Sequence, residues 1–271
     1  MSVATSLERL RARLRRLSAA RHPHLAVMTR DEIYDRGRMM APGGLLLASI
    51  VAGVLELRAG MRVLDIGCGR GQSSAFLAST FDVDVVSIDL WIRAEERRHA
   101  AESAGLASRI RCLEGDITRG LPADLGRFDA VFALQSFHSF GARRGMIRYL
   151  ASLLAAGGRV AIGQTCFREE PGELAGAFAD TGGWHAEYGK YHSPPWWAER
   201  FRQSGAFDVE RCEELLDGDV MWEDDLLYRG DRDGWTDEFL SRNAWLIRQI
   251  LQAQIIPPTL THFVLLARRQ P

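Results

Sequence analysis

Read for its apolar and polar positions, the chain alternates between two periods. Short, nearly continuous apolar runs at 61–66, 83–88, 109–114, 128–134 and 159–165 read as strands buried on both faces. Between them, 71–80, 92–104 and 142–155 read as helices. This alternation predicts an α/β protein: a mostly parallel sheet with helices on both faces, binding its ligand at the carboxyl ends of the strands. After Cys166 the pattern changes. Segment 168–193 is rich in glycine and aromatic residues, and Ser193-Pro194-Pro195 has the form of a helix start leading to about residue 203. Two more strands are expected at 206–213 and 260–268. The roughly 46 residues between them hold an acidic loop and a helix over 236–254, stopped by Pro257-Pro258. That is long for a hairpin connection, so an inserted cap is expected. Ahead of the first strand, Leu7, Leu10, Leu14 and Leu17 fall on one helical face, and 45–57 reads as a second helix. The chain thus divides into an N-terminal helical extension and lid (1–41), a core (42–213 and 260–271) and a helical cap (214–259).

Composition narrows this picture. The net charge of the 271 residues is −1, so no global field recruits nucleic acid or an anionic surface. Charge is unevenly placed: residues 1–30 hold seven arginines and one acid, and 213–238 hold eleven acids against Arg229 and Arg232. The arginine-bearing N-terminal helix is read as packing on the domain or on a second copy in a homodimer. A membrane-surface role is the weaker reading, and the apolar run at 45–57 is too short to span a bilayer. The four cysteines are far apart and form no metal-ligand spacing. No metal is expected, and buried reduced thiols suit a cytoplasmic protein.

The chemistry concentrates at Leu64-Asp65-Ile66-Gly67-Cys68-Gly69-Arg70-Gly71-Gln72. A strand ends in an acid and alternating glycines, and a helix follows. The glycines let the backbone approach a ligand, and the helix start offers free N–H groups. The spacing is G-x-G-x-G, and the acid before it suits a ligand with a cationic amine. Later strand ends add Asp89-Leu90-Trp91, Gly115-Asp116-Ile117 and Gln135-Ser136. An acid at Asp89 can accept from both hydroxyls of a ribose.

In these motifs the sequence resembles the class I S-adenosylmethionine (SAM)-dependent methyltransferases, over roughly residues 42–165. The resemblance implies a Rossmann-like fold with a seven-stranded sheet whose last strand is antiparallel. It implies SAM as cofactor, S-adenosylhomocysteine as product, and no metal. Asp65, Gly67, Gly69, Gln72, Asp89, Leu90, Asp116, Ile117 and Gln135 would then bind the cofactor. Tyr34, in the segment before the first strand, is a candidate lid residue. Residues 32–44 and His192-Ser193-Pro194-Pro195-Trp196-Trp197 are similar to a bacterial subgroup labelled cyclopropane-synthase-like. The lipid-modifying members carry F-E-H-F-G where this chain has Phe137-His138-Ser139-Phe140-Gly141. The missing glutamate argues against lipid cyclopropanation and for a small soluble acceptor.

Methyl transfer requires a positioned nucleophile, a dry site and a destination for any acceptor proton. His138, just past the fourth strand, is the candidate base, since histidine readily takes a proton near neutral pH. Cys166 has no identified activating partner. The acceptor pocket is expected from His192, Trp196, Trp222 and Glu223, where aromatic faces beside carboxylates suit an amine. The reading is therefore SAM-dependent methyl transfer to a small molecule, leaning to nitrogen. The alternatives are a lipid-modifying enzyme and a SAM-binding protein that transfers no methyl group.

Overall fold

The computed structural model describes residues 28–34, 41–170, 186–216, 218–243, 247 and 260–271. Its centre is a sheet of β1 (Arg62–Ile66), β2 (Asp84–Asp89), β3 (Ile110–Glu114), β4 (Phe128–Leu134), β5 (Leu154–Phe167), β6 (Phe207–Glu214) and β7 (Leu260–Arg269). The order is β3-β2-β1-β4-β5-β7-β6. The pairs among β1 to β5 are parallel, and β7 runs antiparallel to both β5 and β6. This is the α/β arrangement expected, with the last strand inserted against the rest.

Successive strand residues point to opposite faces, which separates two cores. Val63, Val85, Ala130, Phe132 and Val264 lie on one face. They pack with α1 (Arg30–Tyr34), α2 (Gly44–Val54) and α3 (Gln72–Phe81). Ala101 of α4 (Ala94–Ser103) joins the same cluster. Leu64, Ile66, Val86, Val131 and Phe263 lie on the other face, with α5 (Met146–Leu153) and α6 (Pro194–Gln203). Phe137, Trp197 and Phe201 fill this second core and are fully buried. Burial of such aromatic area is the main favourable term holding each layer. Both layers leave the carboxyl strand ends of β1, β2, β3 and β4 on one rim of the sheet.

Three sequence expectations need correction. The helix expected over 142–155 is only Met146–Leu153, because Leu154 is already extended and pairs with Phe128. The ladder resumes at Ala130 opposite Arg159, so Gly157-Gly158 sits in an irregularity of β5 and not in a turn before it. The acidic loop is a helix, α7 (Gly218–Asp233), followed by α8 (Asp237–Arg242). Met221, Leu226, Leu227 and Tyr228 of α7 are buried. Asp225 pairs with Arg229 one turn on, at 3.0 Å. The buried acids Glu223 and Asp225 interrupt the apolar stripe that normally announces a helix. The basic N-terminal helix and most of the segment after Asn243 lie outside the described residues. So do residues 171–185.

Candidate active site

A cavity of about 470 Å³ opens on the rim of strand ends. Ile66, Gly67, Cys68 and Gly69 form one wall, Asp89 to Trp91 and Asp116 to Thr118 a second, and Gln135 to His138 a third. The first wall requires glycine. Gly67 has φ +72°, and a β-carbon there would lie 2.7 Å from Ser136 Oγ and closer still to Ser136 Cβ. Gly71, the N-cap of α3, has no side chain with which to cap the first turn. The helix therefore presents uncapped N–H groups, the usual seat of an anion.

Asp65 is wholly buried beneath this turn. Its Oδ2 accepts from Ser73 Oγ at 2.7 Å and Ser74 Oγ at 2.6 Å, while its Oδ1 has no hydrogen-bond partner. Burial pushes its pKa up to about 6, against the lowering influence of the two serines and Arg97. Asp65 thus does not line the cavity directly, as the sequence suggested. It anchors the start of α3, with one acceptor oxygen left unsatisfied.

Asp89 and Asp116 do line the cavity. Asp89 Oδ2 accepts from the Gly69 N–H, and Oδ1 accepts from the N–H groups of Trp91 and Ile92. Each carboxylate oxygen can accept more than one hydrogen bond, so the acid can build the loop and receive ligand hydroxyls. Asp116 Oδ1 accepts from Thr118 N–H at 2.9 Å and Thr118 Oγ at 2.7 Å. Those two bonds hold its carboxyl below the usual range. This is the side-chain turn that a lone aspartate often makes; Oδ2 remains for a ligand donor. Ile117 is buried beside it, and Leu90 and Trp91 stand exposed at the mouth.

Arg97, which no sequence pattern singles out, braces the glycine loop from below. It is buried to 2% exposure on α4. Its guanidinium donates to Ser87 O, Ser87 Oγ, Cys68 Sγ and Leu113 O. It is a cation beneath the glycine loop, lowering the cost of ionising Asp65. One arginine among several on a charged helix gives no sequence signal for this.

Gln135 reaches the cavity in a left-handed conformation, φ +52°. Its Nε2 donates to Pro42 O at 3.0 Å, and its Oε1 accepts from Thr165 N–H at 2.8 Å. Its amide therefore braces the entry to α2 against the end of β5. Gln72, like Asp65, does not line the cavity: its Nε2 donates to Glu32 O at 2.8 Å, tying α1 to α3. Tyr34 is buried and stacks on Tyr228 of α7 with ring centroids 5.5 Å apart. It joins α1 to α7 and does not line the cavity.

At the β4 and β5 end, the cavity is lined by His138, Thr165, Tyr191 and Trp222. His138 follows β4 in a short turn, and its backbone N–H donates to buried Gln164 Oε1 at 2.9 Å. Tyr191 meets the His138 ring edge-on, with centroids 4.9 Å apart. Cys166 is fully buried, and burial pushes its thiol pKa up, so it offers no thiolate.

Of the four expected acceptor residues, only Trp222 lines the cavity. His192 stacks on Trp196 at 3.6 Å and bonds to Glu170, so both rings are spent on each other. Glu223 is buried at 2% exposure within α7 and lies off the cavity wall. Tyr191 takes the place expected of His192, one residue away. Its neighbours in sequence carried the motif, and the turn that selects it was not legible.

Residues 63–158 match the model of a family described as a methyltransferase domain. The 27-O-demethylrifamycin SV methyltransferase of Amycolatopsis mediterranei is 37% identical over 129 residues, covering 47% of this chain and 47% of that protein. Phosphoethanolamine N-methyltransferase 3 of Arabidopsis thaliana is 29% identical over 141 residues, covering 52% of this chain and 28% of that protein. The chain spans half or less of the length of these two curated relatives. A SAM-dependent methyltransferase from Thiobacillus denitrificans, solved with S-adenosylhomocysteine, shares the fold. Its TM-score is 0.60 at 21% identity, over 90% of this chain and 99% of that one.

Proposed function

We propose that this chain, which belongs to the class I SAM-dependent methyltransferases, moves a methyl group from SAM to a small-molecule acceptor held at His138. The observation that carries the reading is the order of acceptors around one cavity. The uncapped start of α3 suits a carboxylate. Asp65, wholly buried behind it and off the cavity wall, braces that helix start through Ser73 and Ser74. Asp89 suits ribose hydroxyls, and Asp116 with Ile117 suits an adenine. The loop between them accepts nothing bulkier than glycine at Gly67. These groups support SAM as the ligand of this cavity.

SAM, when bound, supplies an activated methyl group on sulfur, with S-adenosylhomocysteine as the product. The chain's own tasks are then few. The glycine wall and the carboxylates hold the cofactor in one orientation. The packed aromatic residues beside β4 and β5 keep water from the far end. His138 lies at that end, where its imidazole takes the proton of a hydroxyl acceptor. The carboxylates whose nearness to aromatic residues suggested an amine do not line the cavity, and the relatives include N-methyltransferases as well as an O-methyltransferase, so both a nitrogen and a hydroxyl acceptor fit the reading.

The experiment is turnover of SAM carrying a deuterated methyl group in the presence of fractionated small-molecule extract. Formation of S-adenosylhomocysteine together with a labelled product supports the reading. Tight SAM binding with no labelled product from any fraction favours a binding protein instead.

A further inference from the structure

We propose that Tyr191 forms the wall against which the methyl acceptor lies, that Glu170 is the positioning residue holding it there, and that this wall takes an uncharged acceptor with an apolar or aromatic body. The proposal rests on the reading of the cavity as a site of methyl transfer.

Tyr191 belongs to no long helix or strand. It follows a short turn, Ala186–Lys190, and precedes α6. Its ring is nevertheless 8% exposed and fixed edge-on to His138. Two backbone bonds contribute: Tyr191 N–H donates to Tyr188 O at 3.0 Å, and Phe167 N–H donates to Tyr191 O at 3.2 Å. The next two residues are held by one carboxylate. Glu170 Oε1 accepts from Ser193 N–H at 2.8 Å and from Ser193 Oγ at 2.5 Å, and Oε2 meets His192 Nδ1 at 2.8 Å. Burial raises the Glu170 carboxyl pKa, but the bonds from Ser193 and His192 outweigh it and lower it overall. Ser193 is the N-cap of α6, yet its hydroxyl makes no capping bond to its own helix. The Glu170 carboxylate stands at that helix start, where negative charge is favoured. Glu170 lies three residues beyond β5, so the clasp ties the exit of β5 to the residues just after Tyr191. His192 also stacks on Trp196 of α6, with ring centroids 3.6 Å apart.

The character of the wall follows from its members. Tyr191 clusters with Phe167 and Leu260, and Trp222 packs against the same group. Among the described residues lining the cavity, the fixed charges are Asp89, Asp116 and Arg143. Arg143 donates to Thr118 Oγ, beside Asp116, which places it at the opposite end. Beside His138, the described lining offers no arginine or lysine to hold a phosphate or carboxylate of an acceptor. A flat apolar body gains from the aromatic edges and faces instead.

The test uses the full chain loaded with S-adenosylhomocysteine and 2-naphthol as the probe, a neutral aryl hydroxyl. The readout is the imidazole Cε1–H resonance of His138, assigned by its loss in His138→Gln. Saturable displacement of that resonance by 2-naphthol is expected. Tyr191→Leu and Glu170→Ala should each weaken the apparent affinity about tenfold, and Glu170→Gln, which keeps an acceptor oxygen for Ser193, should restore most of it. Affinity for S-adenosylhomocysteine, measured by calorimetry, should stay unchanged in all three. Equal naphthol affinity in the wild type and Glu170→Ala overturns the positioning role. No displacement by naphthol, or displacement by phosphoethanolamine at lower concentration, overturns the acceptor class. Failure of the wild type to bind S-adenosylhomocysteine overturns the methyl-transfer reading itself and is distinguished by the calorimetry.

Discussion

Gly69 donates its backbone N–H to Asp89 Oδ2 at 2.8 Å. The other oxygen of the same carboxylate accepts from Trp91 and Ile92, at 2.8 and 2.9 Å. One side chain at the end of β2 therefore shapes the glycine loop after β1 and the turn that follows β2. An acid that lines the cavity thus also builds the wall opposite it, so cavity lining and loop geometry depend on a single residue.

Gly67→Ala should abolish SAM binding and destabilise the fold. The new β-carbon meets Ser136 and is held at a φ of +72°. The backbone strain alone is worth about 1–2 kcal/mol. Combining Gly67→Ala with Ser136→Gly removes the collision but not the strain, so recovery in urea denaturation should be partial. Full recovery would mean that the φ value carries no cost.

Asp65 gives a pH dependence of definite sign. Its carboxyl is harder to ionise in the folded protein, at about 6, than an unperturbed aspartate at 3.8. Its contribution to stability is therefore fully present below 3.8 and is lost as pH rises through about 6. The shift corresponds to roughly 3 kcal/mol. Asp65→Asn should remove that loss. Urea denaturation of both proteins between pH 4 and pH 7.5 (the range that spans about the whole titration) checks it. Parallel stability curves would contradict the assignment.

Arg97→Met should cost about 3–5 kcal/mol, because it removes the buried cation that favours the ionised form of Asp65 and the hydrogen bonds to two strand carbonyls, Ser87 O and Leu113 O. Arg97→Lys should recover less than half, since one ammonium cannot reproduce the guanidinium fork. Thermal and urea unfolding measure both. A surface-like loss of a few tenths of a kcal/mol in Arg97→Met would refute the role given to it.

His138→Gln keeps the backbone bond to Gln164 Oε1, so the turn after β4 should persist. With a hydroxyl acceptor, turnover should fall by about 10²–10⁴-fold, the usual worth of a general base. SAM affinity should not change. Wild-type turnover in this variant would leave His138 a shape residue only.

The strands were legible because each is a nearly continuous apolar run, as at Val63 to Ile66, and burial on both faces leaves no other pattern. The motif acids at Asp89 and Asp116 were legible because they close successive strands. For Asp65, Gln72 and Gln135 the sequence pattern showed position on strand end or helix start but not partners; of the three only Gln135 lines the cavity. Those partners, Ser73 and Ser74, Glu32, and Pro42 with Thr165, are set by tertiary packing. Helix α7 was hidden because its acids read as solvated charge, whereas Glu223 and Asp225 are buried. Arg97 and Tyr191 carry no local signature; one is chosen by the charge around it, the other by a clasp from Glu170.

This rim of strand ends is expected to bind SAM through Asp89. Titration calorimetry of SAM into the full chain, beside Asp89→Ala shown by circular dichroism to be folded, tests it directly. The account predicts saturable single-site binding in the wild type and loss of detectable binding in the variant. No heat in the wild type, or equal affinity in the two proteins, would contradict it.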